Sequence, residues 1–223
     1  MADTVDHTNE KARASAVTMQ RWGALASFLL AAAFIAAPPI YLMGNLRDAY
    51  GPLSYDVADL MYGPVWAASL VTAFFALRER IGAGAPRRMS LALLAALLAA
   101  GAMLSVALIR SANRHYHLDH PELNLEHSMQ VLTVWTTLVA GLSGAAWYCL
   151  GWAWILLGWA GWTSRRLPRV LSALFLFLGV LALPVYLSRD SDMGLALLGA
   201  VLSTWQGIVM LRPGPGAAQA PES

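Results

Sequence analysis

Apolar residues fall in long unbroken runs separated by short polar clusters, a pattern of membrane-crossing helices rather than amphipathic surface helices. The runs are 22–44, 60–77, 89–109, 128–162, 170–187 and 193–211. Most are about 18 to 23 residues, enough for a helix to cross a hydrocarbon layer of about 30 Å. Backbone polar groups in lipid must pair within their own segment, so the pattern predicts an all-α, polytopic transmembrane helical bundle. Residues 1–21 are polar and read as a cytoplasmic tail, 22–212 as the transmembrane domain, and 213–223, rich in Pro, Gly and Ala, as a disordered tail. The first run is too long for the apolar part of a cleaved signal and reads as an anchor.

The fourth run decides the topology. Its 35 residues (128–162) reach about 52 Å as a helix, too long for one crossing and barely enough for two. Basic residues arbitrate. With six spans and both termini inside, Lys11, Arg13, Arg21, Arg78, Arg80, Arg87, Arg88, Arg165, Arg166, Arg169 and Arg212 are cytoplasmic. Only Arg47, Arg110, Arg114 and Arg189 are outside, a split of eleven to four. A seventh span reduces it to eight against seven. The expectation is six spans, N-in and C-in, with the excess length of the fourth run on the outer side. Asp119-His120-Pro121-Glu122 reads there as a capping box opening a new helix. That helix either runs on as one tilted rod or breaks at Gly141-Leu142-Ser143-Gly144. Pro38, Pro39, Pro64 and Pro184 are expected to kink their helices near the outer ends.

Composition sharpens this picture. Of 223 residues 58% are hydrophobic and 13% charged, against about 25% charged in soluble domains. The net charge of +2 is accounted for by the cytoplasmic arginines, so nothing points to a nucleic-acid partner. A single cysteine, Cys149, excludes a disulfide framework. The only lysine, Lys11, lies in the tail, so no span can form a retinal Schiff base, and no span interior carries a histidine for haem. Nor does any carry a mid-span acid or base, as a proton relay would require.

Two groups of residues are left as candidate sites. The first is the loop 113–127, which holds four of the five histidines: His115, His117, His120 and His127, beside Asp119, Glu122 and Glu126. Imidazoles and carboxylates are the usual ligands of zinc and copper, and Asp48, Asp56 and Asp59 of the first outer loop could approach the same surface. The bland alternative is a solvated loop at headgroup level. His115-x-His117-x-Asp119-His120 matches the metallo-β-lactamase signature, but the soluble sandwich and downstream ligands of that fold are missing. Gly141-Leu142-Ser143-Gly144 looks like the serine motif of rhomboid proteases, yet no histidine base follows in the sixth span.

The second group is the fourth span. Placed at about 100° per residue, Trp147, Tyr148, Trp152, Trp154, Trp159 and Trp162 share a broad arc with Gly144, Gly151, Gly158 and Gly161. Leu142, Ala145, Ala146, Cys149, Leu150, Ala153, Leu156, Leu157 and Ala160 take the other arc. Tyr148, Gly151, Trp152, Gly158 and Trp159 are the candidate ligand-binding residues. Glycines there allow close approach or leave a groove, and flat rings suit a lipid or hydrophobic small molecule. A helix-packing seam competes with that reading.

The stretch 150–180, with its Gly/Trp-rich span, the turn Ser164-Arg165-Arg166-Leu167-Pro168-Arg169 and the ending Leu178-Gly179-Val180, resembles uncharacterised six-helix integral membrane proteins of bacteria, grouped as a domain of unknown function. The resemblance implies the topology and brings no catalytic residues; the expected location is the bacterial inner membrane. The expected function is binding of membrane lipid or another hydrophobic molecule, or packing against another membrane subunit, without a cofactor. The alternative is a metal-dependent membrane enzyme using zinc or copper at the outer loop.

Overall fold

In a computed structural model of the chain, residues 15, 17–36, 52–120, 125–187 and 192–212 are described, and among them every element is helical. The helices are α1 (Val17–Ala36), α2 (Pro52–Leu60), α3 (Trp66–Ile81), α4 (Pro86–Asp119), α5 (Leu125–Ser164), α6 (Arg169–Ala182) and α7 (Asp192–Leu211). Five helical segments are long and apolar enough to cross a membrane: Val17–Ala36, Asp56–Ile81, Pro86–Tyr116, Thr133–Ser164 and Met193–Leu211. Arg169–Val185 is a shorter apolar helix.

Prolines mark the irregular turns. Pro64 has no N–H to give, and around it Met61–Val65 widens into a π turn joining α2 to α3, with the Trp66 N–H bonded to the Gly63 and Met61 carbonyls. At Pro184 the chain after α6 tightens into a 3₁₀ turn, Leu183–Leu187. Pro38 and Pro39 lie outside the described residues, as do residues 213–223.

The hairpin of α4 and α5 departs from the sequence reading. Asp119 is the last residue of α4, not the cap of a new helix, and Asn113 through Asp119 are helical rather than loop. Pro121 supplies the reason: it disfavours helical backbone at His120, which sits at φ −127, ψ 60. Beyond it α5 is one continuous helix of 40 residues, unbroken at 141–144. Intrahelical hydrogen bonding tolerates isolated glycines, at a cost of about 1 kcal/mol each. At about 1.5 Å per residue, the 34 residues of α4 and 40 of α5 both outrun a hydrocarbon layer of about 30 Å.

From α3 onward each helix packs on the next in the chain, and α1 closes the bundle between α3 and α7. Gly23 of α1 meets Ala76 of α3, and Gly207 and Gly199 of α7 receive the rings of Phe28 and Phe34. The core holds Phe34, Trp66, Phe74, Trp147, Trp154 and Phe175. One buried polar link joins the first and last helices: Gln206 donates to the Ser27 hydroxyl at 3.0 Å, and that hydroxyl donates to the Gly23 carbonyl at 2.7 Å. Arg80, also buried, donates to the Arg212 carbonyl at the end of α7, where a cation complements the exposed carbonyls of a helix C-terminus.

Candidate functional site

The glycines of α5 face α6 at backbone distance. A Cβ on Gly158 would lie 2.6 Å from the Ser172 carbonyl oxygen and 2.8 Å from the Leu176 nitrogen. One on Gly151 would lie 2.8 Å from the Gly179 carbonyl oxygen, and Gly179 meets the Gly151 carbonyl reciprocally at 2.7 Å. Gly161 sits against Ser172 and Leu167. Gly151 and Gly158 are therefore filled by the neighbouring helix, forming the close seam that small residues permit.

The aromatic candidates point elsewhere. Tyr148, Trp152, Trp159 and Trp162 are 45%, 42%, 49% and 49% exposed, and their spacing of four, seven and three residues keeps them on one outward line. The rings and glycines thus do not share one arc. Trp147 and Trp154 turn inward, and so do Ala146, Leu150, Ala153, Leu157 and Ala160, which the sequence reading put on the opposite side. The structure brings Gly151 together with Gly179 and Gly158 with Ser172, not with Trp152 or Trp159.

Inside, the Trp147 ring stacks on Phe34 with centroids 6.1 Å apart, and Phe34 meets Trp66 and Tyr62 edge-on at 6.0 and 6.4 Å. This four-ring cluster draws on α1, the π turn, α3 and α5. It was invisible to span-by-span reading because its members are far apart in sequence. The Trp66 Nε1 is buried there with no hydrogen-bond partner among the described residues.

At the end of the bundle away from the arginine-rich turns, Arg114 of α4 reaches α2. Its guanidinium bridges two carboxylates, Asp56 at 2.5 Å through Nη1 and Asp59 through Nη2. Asp59 is 3% exposed, so this is an inter-helix link built into the protein rather than a surface pair. The approach of Asp56 and Asp59 to the histidine-bearing segment is as anticipated, but the group they meet is a guanidinium. His115, exposed, has its Nε2 3.7 Å from Asp56 Oδ1. His120 packs its ring on Tyr116 at 4.6 Å. The side chains of His117 and His127 lie outside the described ones. Among the described residues no three or more His, Cys, Asp or Glu groups come together as a metal would require.

At the other end, Arg88 lies 4.2 Å above the Trp159 ring and donates to Thr163 Oγ1 at 2.8 Å, fastening α4 to α5. Between α1 and α7 an open apolar groove of about 410 Å³ is lined by Ile35, Leu197, Val201, Thr204, Trp205 and Ile208 among others. A scan against protein-family models matches no family, and searches of curated proteins and of solved structures find no similar protein.

Proposed function

We propose that this chain is a six-span membrane protein of the bacterial inner membrane, with both termini cytoplasmic. In this reading it works by binding an apolar membrane component, a lipid or another membrane subunit, along the outward aromatic line of α5. The observation that carries it is the exposure of Tyr148 and Trp152 partway along an apolar helix long enough to cross a membrane. The polar boundary is taken at the level where Arg88 meets Trp159 and Thr163. Trp152 then lies about 10 Å and Tyr148 about 16 Å further along the helix, near the middle of a layer of about 30 Å. Trp159 and Trp162 are explained by an interfacial belt. A phenol hydroxyl and an indole N–H facing hydrocarbon at mid-depth are not, because an unpaired polar group there costs about 1 to 3 kcal/mol on mutational scales. A partner with hydrogen-bonding groups removes that cost.

A photo-crosslinking residue at Trp152, compared with one at Leu94, 53% exposed on α4, tests the site. The expected result is a discrete adduct from Trp152 and only a bulk-lipid smear from Leu94. Identical adducts at both positions overturn the proposal. Reporter fusions after Arg114, Arg166 and Pro213 are expected to report outside, inside and inside. An outward Arg166 fusion rules out six spans.

A further inference from the structure

We propose that the arginine end of the bundle is a binding site for the headgroup of an anionic phospholipid, centred where the turn 82–85 meets the turn 165–168. It rests on the placement of this chain in a membrane, and not on the α5 aromatic line.

Contacts across the bundle bring the two turns together. A Cβ on Gly84 would come 2.7 Å from the Ser164 side chain, and Arg88 is bound to Trp159 and Thr163. Arg87, next to Arg88 in the first turn of α4, and Arg165 and Arg166, next to Ser164, therefore lie at the same end of the bundle, where Arg169 opens α6. All four are exposed, and no ion pair is described for any of them. Glu79 is the one carboxylate among the described residues at this end. The helix termini add to the imbalance. α4 and α6 both begin here with no acidic residue in the first turn, so the positive ends of two helix dipoles point the same way as the guanidiniums. The backbone stop of α5 also carries an arginine: Arg165 has φ 56, a conformation in which glycine is the usual choice.

Like charges held within about 8 to 10 Å, one screening length, repel unless a counter-charge joins them. The insertion bias accounts for arginines in each of these two turns; the packing of one turn on the other adds to it by presenting both sets of charges on one surface, which an anion can bridge. The contrast with the far end is direct, since Arg114 there has two carboxylates of its own chain. Trp159 and Trp162, half-exposed at the same level, supply the rings that sit at the glycerol depth of a bilayer. A phosphodiester with net negative charge, presented at that depth, is the complementary group.

The test uses the full-length protein in detergent, titrated with phosphatidylglycerol or phosphatidylcholine and read by native mass spectrometry and thermal shift. Phosphatidylglycerol is expected to be retained on the order of ten-fold over phosphatidylcholine, and less as salt rises. The R165Q/R166Q double variant is expected to lose most of that preference, and R165K/R166K to keep much of it. If the glutamine variant does not fold, the salt dependence of the wild type and the lysine variant decide. Equal retention of the two lipids, a preference unmoved by salt, or an unchanged preference in R165Q/R166Q overturns the proposal. Displacement by millimolar glycerol phosphate also overturns it, since the site would then take a free anion. The Trp152 crosslink should survive R165Q/R166Q, so the two proposals fail separately.

Discussion

Gly158 and Trp159 are neighbours on α5 that meet different surroundings. The glycine touches the backbone of α6, whereas half of the tryptophan surface touches no other part of the chain. The same division runs through Gly151 and Trp152 one register below, and between the inward Trp154 and the outward Trp152. Glycine is present because backbone atoms of α6 occupy the space a side chain would fill. Apart from the Arg88 contact on Trp159, no packing among the described residues calls for the outward rings. A residue type on this helix therefore says little about its role until the side it faces is known.

The largest effect should come from filling the seam. Gly158→Leu drives a side chain into the Ser172 carbonyl and the Leu176 nitrogen, which cannot step aside without moving α6, and should cost about 3 kcal/mol or more. Gly151→Leu should be nearly as severe, since it meets the Gly179 carbonyl. Melting of the detergent-solubilised proteins measures both, and a Gly158→Leu protein that melts with the wild type would show that the seam opens freely.

Trp154→Ala ranks next. It leaves a void in the core, and the expected loss is about 3 kcal/mol, the low end for large aromatic truncations, because the lipid reference state is itself apolar. The matching outward change, Trp152→Ala, should shift stability by no more than about 0.5 kcal/mol while abolishing any specific co-purifying lipid or subunit. If the two alanine variants melt alike, the division into faces is wrong.

The smallest effect lies beyond the membrane, on the hairpin extension. Replacing His115, His117 and His120 together with alanine should leave insertion and melting nearly unchanged, within about 0.5 kcal/mol. His115 is exposed, and the ring of His120 packs on Tyr116 at the end of α4. A chelator should have no effect on melting. A drop of several degrees with chelator would bring the metal reading forward.

The spans were legible because lipid imposes a minimum apolar length, and four of the five long helices contain or closely match the runs read from hydropathy. What hydropathy could not show is how far the helices continue into polar sequence. Arg110 through Asp119 extend α4 although most of them are polar or charged, and Asp119 was misassigned because a carboxylate near a proline looks the same at a helix start and a helix stop. Pro52, the first residue of α2, was a readable start signal that the apolar window passed over. The faces of α5 were less legible still. In water a buried face is apolar and the other polar, but in lipid both are apolar, so Ala146 and Leu150 carry no mark of pointing inward. The bridge from Arg114 to Asp56 and Asp59 was foreseen only as proximity, since sequence gives the loop lengths and not the partner.

The π turn at Met61–Val65 acts as a phase shifter. A widened turn accommodates one more residue than an α-helical turn, so it sets the angular offset between everything before it and everything after by about 100°. Asp56 and Asp59 lie on one side of it, aimed at Arg114, and Trp66 on the other, aimed at Phe34. Gly63, within the turn, lies against Ala107 of α4 and pins it in place. Deleting a single residue there would restore regular winding and leave the helix long enough to cross. It would also make the two functions of this rod mutually exclusive: either the carboxylates find their arginine or the indole finds its ring. The insertion is what lets one helix serve two neighbours that a straight helix could not face at once.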